Sequence, residues 1–299
     1  MRGSREGLLL GVALDALLGD PRRGHPVAAF GQVARRLERR VYGDSKVRGL
    51  IFTGVLVGGA AGVGAVLERV SERPVWRMGV TAVATWAVLG GTSLGREGRE
   101  MARALEVNDL EAARGRLSHL CARDPAGLGE SELARATVES VAENTSDAAV
   151  APLVWGLVAG VPGLLAYRAA NTLDAMVGYR SPRYERFGWA AARLDDALNW
   201  VPARVTGLLV VACSGGKAWR VFRKDGGKHP SPNAGRCEAA FAGALGVRLG
   251  GVNAYGGRVE ARPEMGDGRA PEARDVRRAV RLSAVVTGAA ALLVYGVRR

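Results

Sequence analysis

The feature that most constrains this chain is an apolar segment, Ala148–Ala166, with polar side chains crowded at both of its ends. Before it stand Glu139, Glu143, Asn144 and Asp147. After it stand Arg168, Asn171, Asp174, Arg180, Arg183, Arg193, Asp195, Asp196 and Asn199. An apolar segment of this length belongs in a bilayer or a bundle interior, where an ionisable group is costly and therefore signals a function. A purely structural membrane helix would carry a few interfacial arginines and aromatics. Acids, amides and cations together form a set able to hold a polar substrate.

The other apolar runs set the fold class. Gly7–Gly19, Gly49–Leu67, Val75–Leu94, Val201–Cys213 and Val280–Val297 join Ala148–Ala166 as candidate membrane segments. Gly49–Leu67 and Val75–Leu94 have bilayer-spanning length and, separated only by Glu68–Pro74, predict a helical hairpin. Gly7–Gly19 and Val201–Cys213 are short, as tilted, re-entrant or interfacial helices are. Only 6% of residues are aromatic while 42 are glycine, a composition suited to helices that pack closely within a membrane. The expected fold is all-α: a polytopic integral membrane helical bundle, one domain over 1–299. Its polar loops, 95–147 and 214–279, carry amphipathic helices on the cytoplasmic side. Within them, Arg96–Val107 and Leu110–His119 have helical periodicity, Ser131 and Glu132 open a helix toward Asn144, and Arg236–Leu245 is a further helix. No alternation of the kind strands show persists anywhere.

The net charge of +13 fits loops held against an anionic membrane face. No basic run is interleaved with stacking aromatics, so nucleic acid is not an expected partner. Lys and Arg number eight in loop 20–48, seven in 95–147 and thirteen in 214–280, against two in 68–74. This bias places the basic loops in the cytoplasm of a multi-pass cell-membrane protein. If Ala148–Ala166 crossed the bilayer in one pass, its polar flanks would face opposite sides. Pro152, Gly156, Gly160, Pro162 and Gly163 favour a broken, re-entrant or interfacial segment instead. Cys121, Cys213 and Cys237 lack metal-ligand spacing and read as reduced thiols.

Candidate chemistry follows from spacing. Glu139, Glu143 and Asp147, at i, i+4 and i+8, form an acidic stripe able to hold Mg²⁺ through shared phosphate oxygens or to steer an amine; a solvated helix face has the same pattern. Asn144 adds a donor beside them. Arg168, Asn171 and Asp174 share a face, and the Asp195–Asp196 pair is followed one turn later by Asn199. Such acids suit metal binding or general base work, or they neutralise Arg168 and Arg193 within a bundle. Catalytic candidates are thus Glu139, Glu143, Asp174, Asp195, Asp196 and His25, the last beside Asp15 and Asp20 in sequence. Metal candidates are Glu143, Asp147, Asp195 and Asp196. Substrate-binding candidates are Asn144, Asp147, Arg168, Asn171, Arg180, Arg193, Asn199, and His229, Ser231 and Asn233, whose Pro-rich turn leads into a helix N-terminus able to receive an anion. No phosphate-binding G-x-x-x-x-G-K-[ST], zinc-binding H-E-x-x-H or nucleophile-elbow G-x-S-x-G occurs.

Five strings together resemble one family. They are Leu14-Asp15 with Gly19-Asp20-Pro21 and His25-Pro26-Val27; Thr137 to Asp147; Tyr167 to Tyr179; Phe187 to Trp200; and His229 to Gly235. In this order they resemble the cobalamin biosynthesis family CbiB/CobD, the adenosylcobinamide-phosphate (cobinamide) synthases. Pro125 after Asp124, and the segment 250–263, depart from the pattern without touching these strings. The resemblance implies an integral membrane amide ligase joining (R)-1-amino-2-propanol or its O-phosphate to a propionate carboxylate of adenosylcobyric acid. It also implies ATP and Mg²⁺ for activating that carboxylate, and a setting in which other corrinoid-assembly enzymes dock. Arg168, Arg180 and Arg193 then suit a phosphate. Rival classes are an intramembrane Mg²⁺-dependent transferase acting on a lipid diphosphate, whose D-x-x-x-D spacing is missing from the central block, and a small-solute transporter, which the bulk of polar sequence disfavours.

Overall fold

The computed structural model of the protein describes residues 3–21, 24–121, 123–179, 181–255 and 258–297. Its helices are α1 (Ser4–Leu18), α2 (Pro26–Val41), α3 (Lys46–Arg69), α4 (Pro74–Val88), α5 (Gly91–Glu106), α6 (Leu110–Leu117), α7 (Glu130–Thr145), α8 (Ala151–Leu173), α9 (Trp189–Ser214), α10 (Gly216–Asp225), α11 (Ala234–Leu245) and α12 (Ala273–Gly296). Two strands, β1 (Leu249–Tyr255) and β2 (Arg258–Met265), pair antiparallel. Five stretches are long and apolar enough to cross a membrane: Lys46–Arg69, Pro74–Glu106, Glu130–Gly178, Trp189–Ser214 and Ala273–Gly296. The all-α class therefore holds, and these stretches suit a multi-pass membrane protein.

Where one domain is expected, the chain groups into two compact units, one within 1–90, 151–199 and 291–299, the other within 91–150 and 200–290. In the first unit, α1 lies along α4 because its glycines recur every fourth residue, a spacing that stacks them on one helix face. Gly3 faces Pro74, Gly7 faces Met78 and Thr81, and Gly11 faces Ala82 and Thr85, each too close to admit a Cβ. The core of this unit gathers Ala34 of α2, Phe52 and Leu56 of α3, Leu173 of α8, Val177, Phe187 and Ala191 of α9. Phe52 and Tyr42 set their rings 5.1 and 5.3 Å from Phe187. Helix α2 falls inside what reads in sequence as loop 20–48. Its four exposed arginines, Arg35, Arg36, Arg39 and Arg40, mask the apolar series Phe30, Leu37 and Val41 that packs on this core.

Helix α8 is broken, as its glycines and prolines lead one to expect. Ala159 (φ −130°, ψ 16°) and Gly160 (φ 63°, ψ −149°) leave the helical region. The bend brings Gly156 against Leu164 and the Trp155 carbonyl against Gly163. Residues eight apart in a continuous helix would stand about 12 Å apart along the axis. The break leaves the N–H groups at the start of the second arm without a helical carbonyl one turn earlier, and Glu68 at the end of α3 accepts the buried Val161 N–H at 2.9 Å. A further departure lies in 75–94: Leu89 is extended (ψ 156°), so α4 stops at Val88 and α5 starts afresh at Gly91.

In the second unit, α5 and α6 occupy the expected amphipathic segments, and α7 and α11 run as predicted. The sheet corrects the expectation that no strand forms. Alternation is hidden because Gly250 and Gly251 (φ 87° and 92°) interrupt β1 at a register shift.

Candidate functional site

The structure arranges the sequence candidates as two polar clusters, one in each unit. In the first unit, the second arm of α8 and the start of α9 build a ladder of amides around one carboxylate. Asp195 accepts from Asn171 Nδ2 at 3.3 Å and from Asn199 Nδ2 at 3.0 Å. Asn199 Oδ1 accepts the Tyr167 hydroxyl at 2.8 Å, and Asn171 Oδ1 lies 3.5 Å from the Arg168 guanidinium. Helical spacing explains the set: Asp195 and Asn199 are one turn apart on α9, while Tyr167, Arg168 and Asn171 lie within a turn and a half on α8. Tyr167 is buried and was not singled out in sequence. The signal for it is its place one turn before Asn171.

Asp196 turns outward, 3.8 Å from the exposed Arg193. Asp174 opens a π-turn, Asp174–Gly178, and its carboxylate lies over Gly178, where no Cβ would fit. His25 is the N-cap of α2: Nδ1 accepts the Val27 N–H at 3.2 Å and Nε2 stands 4.0 Å from Asp20. Just beyond it a mainly apolar cavity of about 250 Å³ is lined by Pro26, Val27, Phe30, Val63, Arg168 and Thr172, among others. Arg180 lies outside the described residues.

In the second unit the acidic stripe does not act as one face. Glu139 is buried, with Oε2 2.5 Å from Arg123 and Oε1 accepting the Gly250 N–H at 2.7 Å. Each oxygen thus has a protein partner, and the Arg123 guanidinium pairs the charge of Glu139 inside the second unit. Glu143 is exposed, and Asn144 donates back to the Ser140 carbonyl at 2.9 Å. Asp147 sits in a second π-turn, Ser146–Val150. Such a turn widens the helix by one residue, so the i, i+4, i+8 register assumed in sequence is lost at its third member.

Facing α7 is α11 with the turn before it. His229 is buried, its Nδ1 accepting the Ser231 N–H at 3.0 Å. Ser231 Oγ accepts the N–H groups of Asn233 and Ala234 at 3.3 and 3.2 Å, capping α11. Asn233 Oδ1 lies 3.4 Å from Arg204. Glu238 on α11, unmarked in sequence, has its Oε1 3.8 Å from His229 Nε2. Burial, reinforced by Glu139 and Glu143, pushes the Glu238 carboxyl well above the usual range, and burial with Arg262 lowers His229. Beside Gly250, a polar cavity of about 220 Å³ is lined by Ser131, Glu132, Arg135, Arg248 and Glu264.

Among the described residues no three His, Cys, Asp or Glu side chains group closely enough to hold a metal ion. Glu143 and Asp147 fall in one unit, Asp195 and Asp196 in the other. All three cysteines are free thiols.

A family model described as "CobD/Cbib protein" matches residues 8–283. The "Cobalamin biosynthesis protein CobD" of Mycobacterium tuberculosis (strain ATCC 25618 / H37Rv) is 56% identical over 293 residues, covering 96% of this chain and 93% of the relative. Relatives of the same name from Geobacter metallireducens and Rhodobacter capsulatus are 46% and 40% identical. They cover 96% and 89% of this chain, and 93% and 88% of their own lengths. No solved structure matches the chain.

Proposed function

Because this chain belongs to the CobD/Cbib protein family, we propose that it acts in cobalamin biosynthesis as an amide ligase of the cell membrane. In this reading it joins (R)-1-amino-2-propanol or its O-phosphate to a propionate carboxylate of adenosylcobyric acid. The observation that carries the proposal is the family match along residues 8–283, taken with polar clusters mounted on helices of bilayer length. The basic loops argue for polar clusters facing the cytoplasm.

An amide does not form from a free carboxylate and an ammonium ion without activation. ATP as co-substrate, with Mg²⁺, supplies that activation when bound: the γ-phosphoryl group goes to the carboxylate, ADP leaves, and phosphate leaves in turn as the amine nitrogen takes the acyl carbon and gives up a proton. The donor set of the first unit fits Mg²⁺, an ion commonly held by one or two carboxylates with substrate phosphates completing its shell. Asp195 would be one such carboxylate, since the amides that hold it leave it further lone pairs; Asp196, next on α9, points away toward Arg193 and would contribute less. Arg168 and Arg193 suit a phosphate oxygen. The ladder from Tyr167 to Asn171 fixes Asp195, so that a ligand meets a preset geometry rather than a mobile side chain. In the second unit, Glu143 and Asp147 would attract an ammonium and receive its proton, and the His229–Asn233 turn presents the start of α11 to an anion.

Turnover of detergent-solubilised protein tests this. Adenosylcobyric acid, Mg-ATP and either amine donor are supplied and the corrinoid mass is followed. The expected result is an ATP-dependent mass gain equal to the amide, which also identifies the donor. No gain with either donor, from protein shown to be folded, would overturn the ligase and favour a transferase acting on a lipid diphosphate.

A further inference from the structure

The proposed reaction gives Glu238 no task, yet it is the most enclosed acid of the second unit's cluster, its side chain 2% exposed and that of His229 3%. The one basic group within ion-pair reach of it, among the described residues, is His229 at 3.8 Å. This ring is a poor counter-ion. Its Nδ1 accepts the Ser231 backbone N–H, so the neutral ring carries its single proton on Nε2, and a second proton would set N–H against N–H. The other charged groups that bear on Glu238 are Glu139 and Glu143 on α7, Arg123 before it and Arg262 on β2. Arg123 is already held by Glu139, and Arg262 stands 3.7 Å from Glu260.

We propose that Glu238 is a positioning residue that works as a neutral carboxylic acid, its oxygen facing the Nε2–H of His229 and so fixing the turn His229–Asn233 at the head of α11. The proposal rests on the reading of that turn as part of the substrate site. An ionised Glu238 would set a third carboxylate against Glu139 and Glu143 and draw a proton onto the ring at the expense of the Ser231 bond. The bond from the Ser231 N–H to the His229 ring is therefore kept only while the acid keeps its proton. The direction in which burial moves this carboxyl agrees.

The test compares full-length wild type, Glu238→Gln and Glu238→Ala in detergent by infrared spectroscopy, thermal unfolding across pH, and turnover. Gln copies the neutral acid in shape and hydrogen bonding. At neutral pH the wild type should show the C=O stretch of a protonated carboxylic acid, and Glu238→Gln should lack it. A group whose folded-state affinity for a proton is raised stabilises below the ordinary carboxylate range and loses that stability as pH climbs toward the folded value. Wild-type stability should therefore fall with rising pH, and Glu238→Gln should lose that slope. Turnover by Glu238→Gln should stay within about twofold of wild type, while Glu238→Ala loses about tenfold or more. A band that survives in Glu238→Gln, or a Gln variant as damaged as the Ala variant, overturns the proposal. So does a Gln variant of normal stability and KM with lost turnover, which would mark direct proton transfer. Should the ligase reading itself fail, the band and the pH slope still decide.

Discussion

The two units enclose carboxylates by different means. Asp195 in the first unit is held by neutral amides, Asn171 and Asn199, with Tyr167 behind them. Glu139 in the second is held by a full charge, Arg123, and one backbone N–H. Amide donors stabilise a carboxylate without cancelling its charge, so Asp195 keeps its pull on an incoming cation. An arginine at 2.5 Å cancels most of that pull and converts the acid into a structural joint. The same functional group is thus held by neutral donors in one place and by an ion pair in the other, and the partner decides how much of its charge is offset.

The largest expected effect comes from breaking the charged joint. Arg123→Ala leaves Glu139 buried without its cation and should destabilise the protein by about 3–5 kcal/mol, read as a lowered unfolding midpoint in detergent. A loss under about 1 kcal/mol would show that Glu139 reaches water and would erase the contrast. Next is Asn199→Ala, which removes the acceptor of a buried Tyr167 hydroxyl and one donor to Asp195. It should cost about 1–3 kcal/mol and weaken Mg²⁺ dependence of turnover, whereas Arg123→Ala should leave that dependence unchanged. The smallest effect is Arg193→Ala: its side chain is 67% exposed beside Asp196, and stability should move by no more than about 0.5 kcal/mol. A shift only in the KM of a phosphorylated donor would give Arg193 a ligand-binding task.

The membrane helices were legible because length and apolarity need no tertiary information. Helix α2 was not, since Arg35, Arg36, Arg39 and Arg40 outweigh its narrow apolar stripe until the core that receives Phe30 and Leu37 is known. In the site, the residues were legible and their partners were not. Spacing put Glu139, Glu143 and Asp147 on one stripe, but the partner that engages Glu139 comes from Gly250, 111 residues away, and a π-turn alters the register at Asp147. Glu238 was hidden in an Ala-rich helix whose composition reads as core.

The elbow of α8 carries a consequence for how the chain is made. Its second arm depends on Glu68, a residue 93 positions earlier, to receive the Val161 N–H. A nascent chain emerges N-terminus first, so the acceptor is waiting when the bend arrives. The elbow is thus closed by a residue made well before it, and a chain in which α3 is misplaced has no acceptor for that amide.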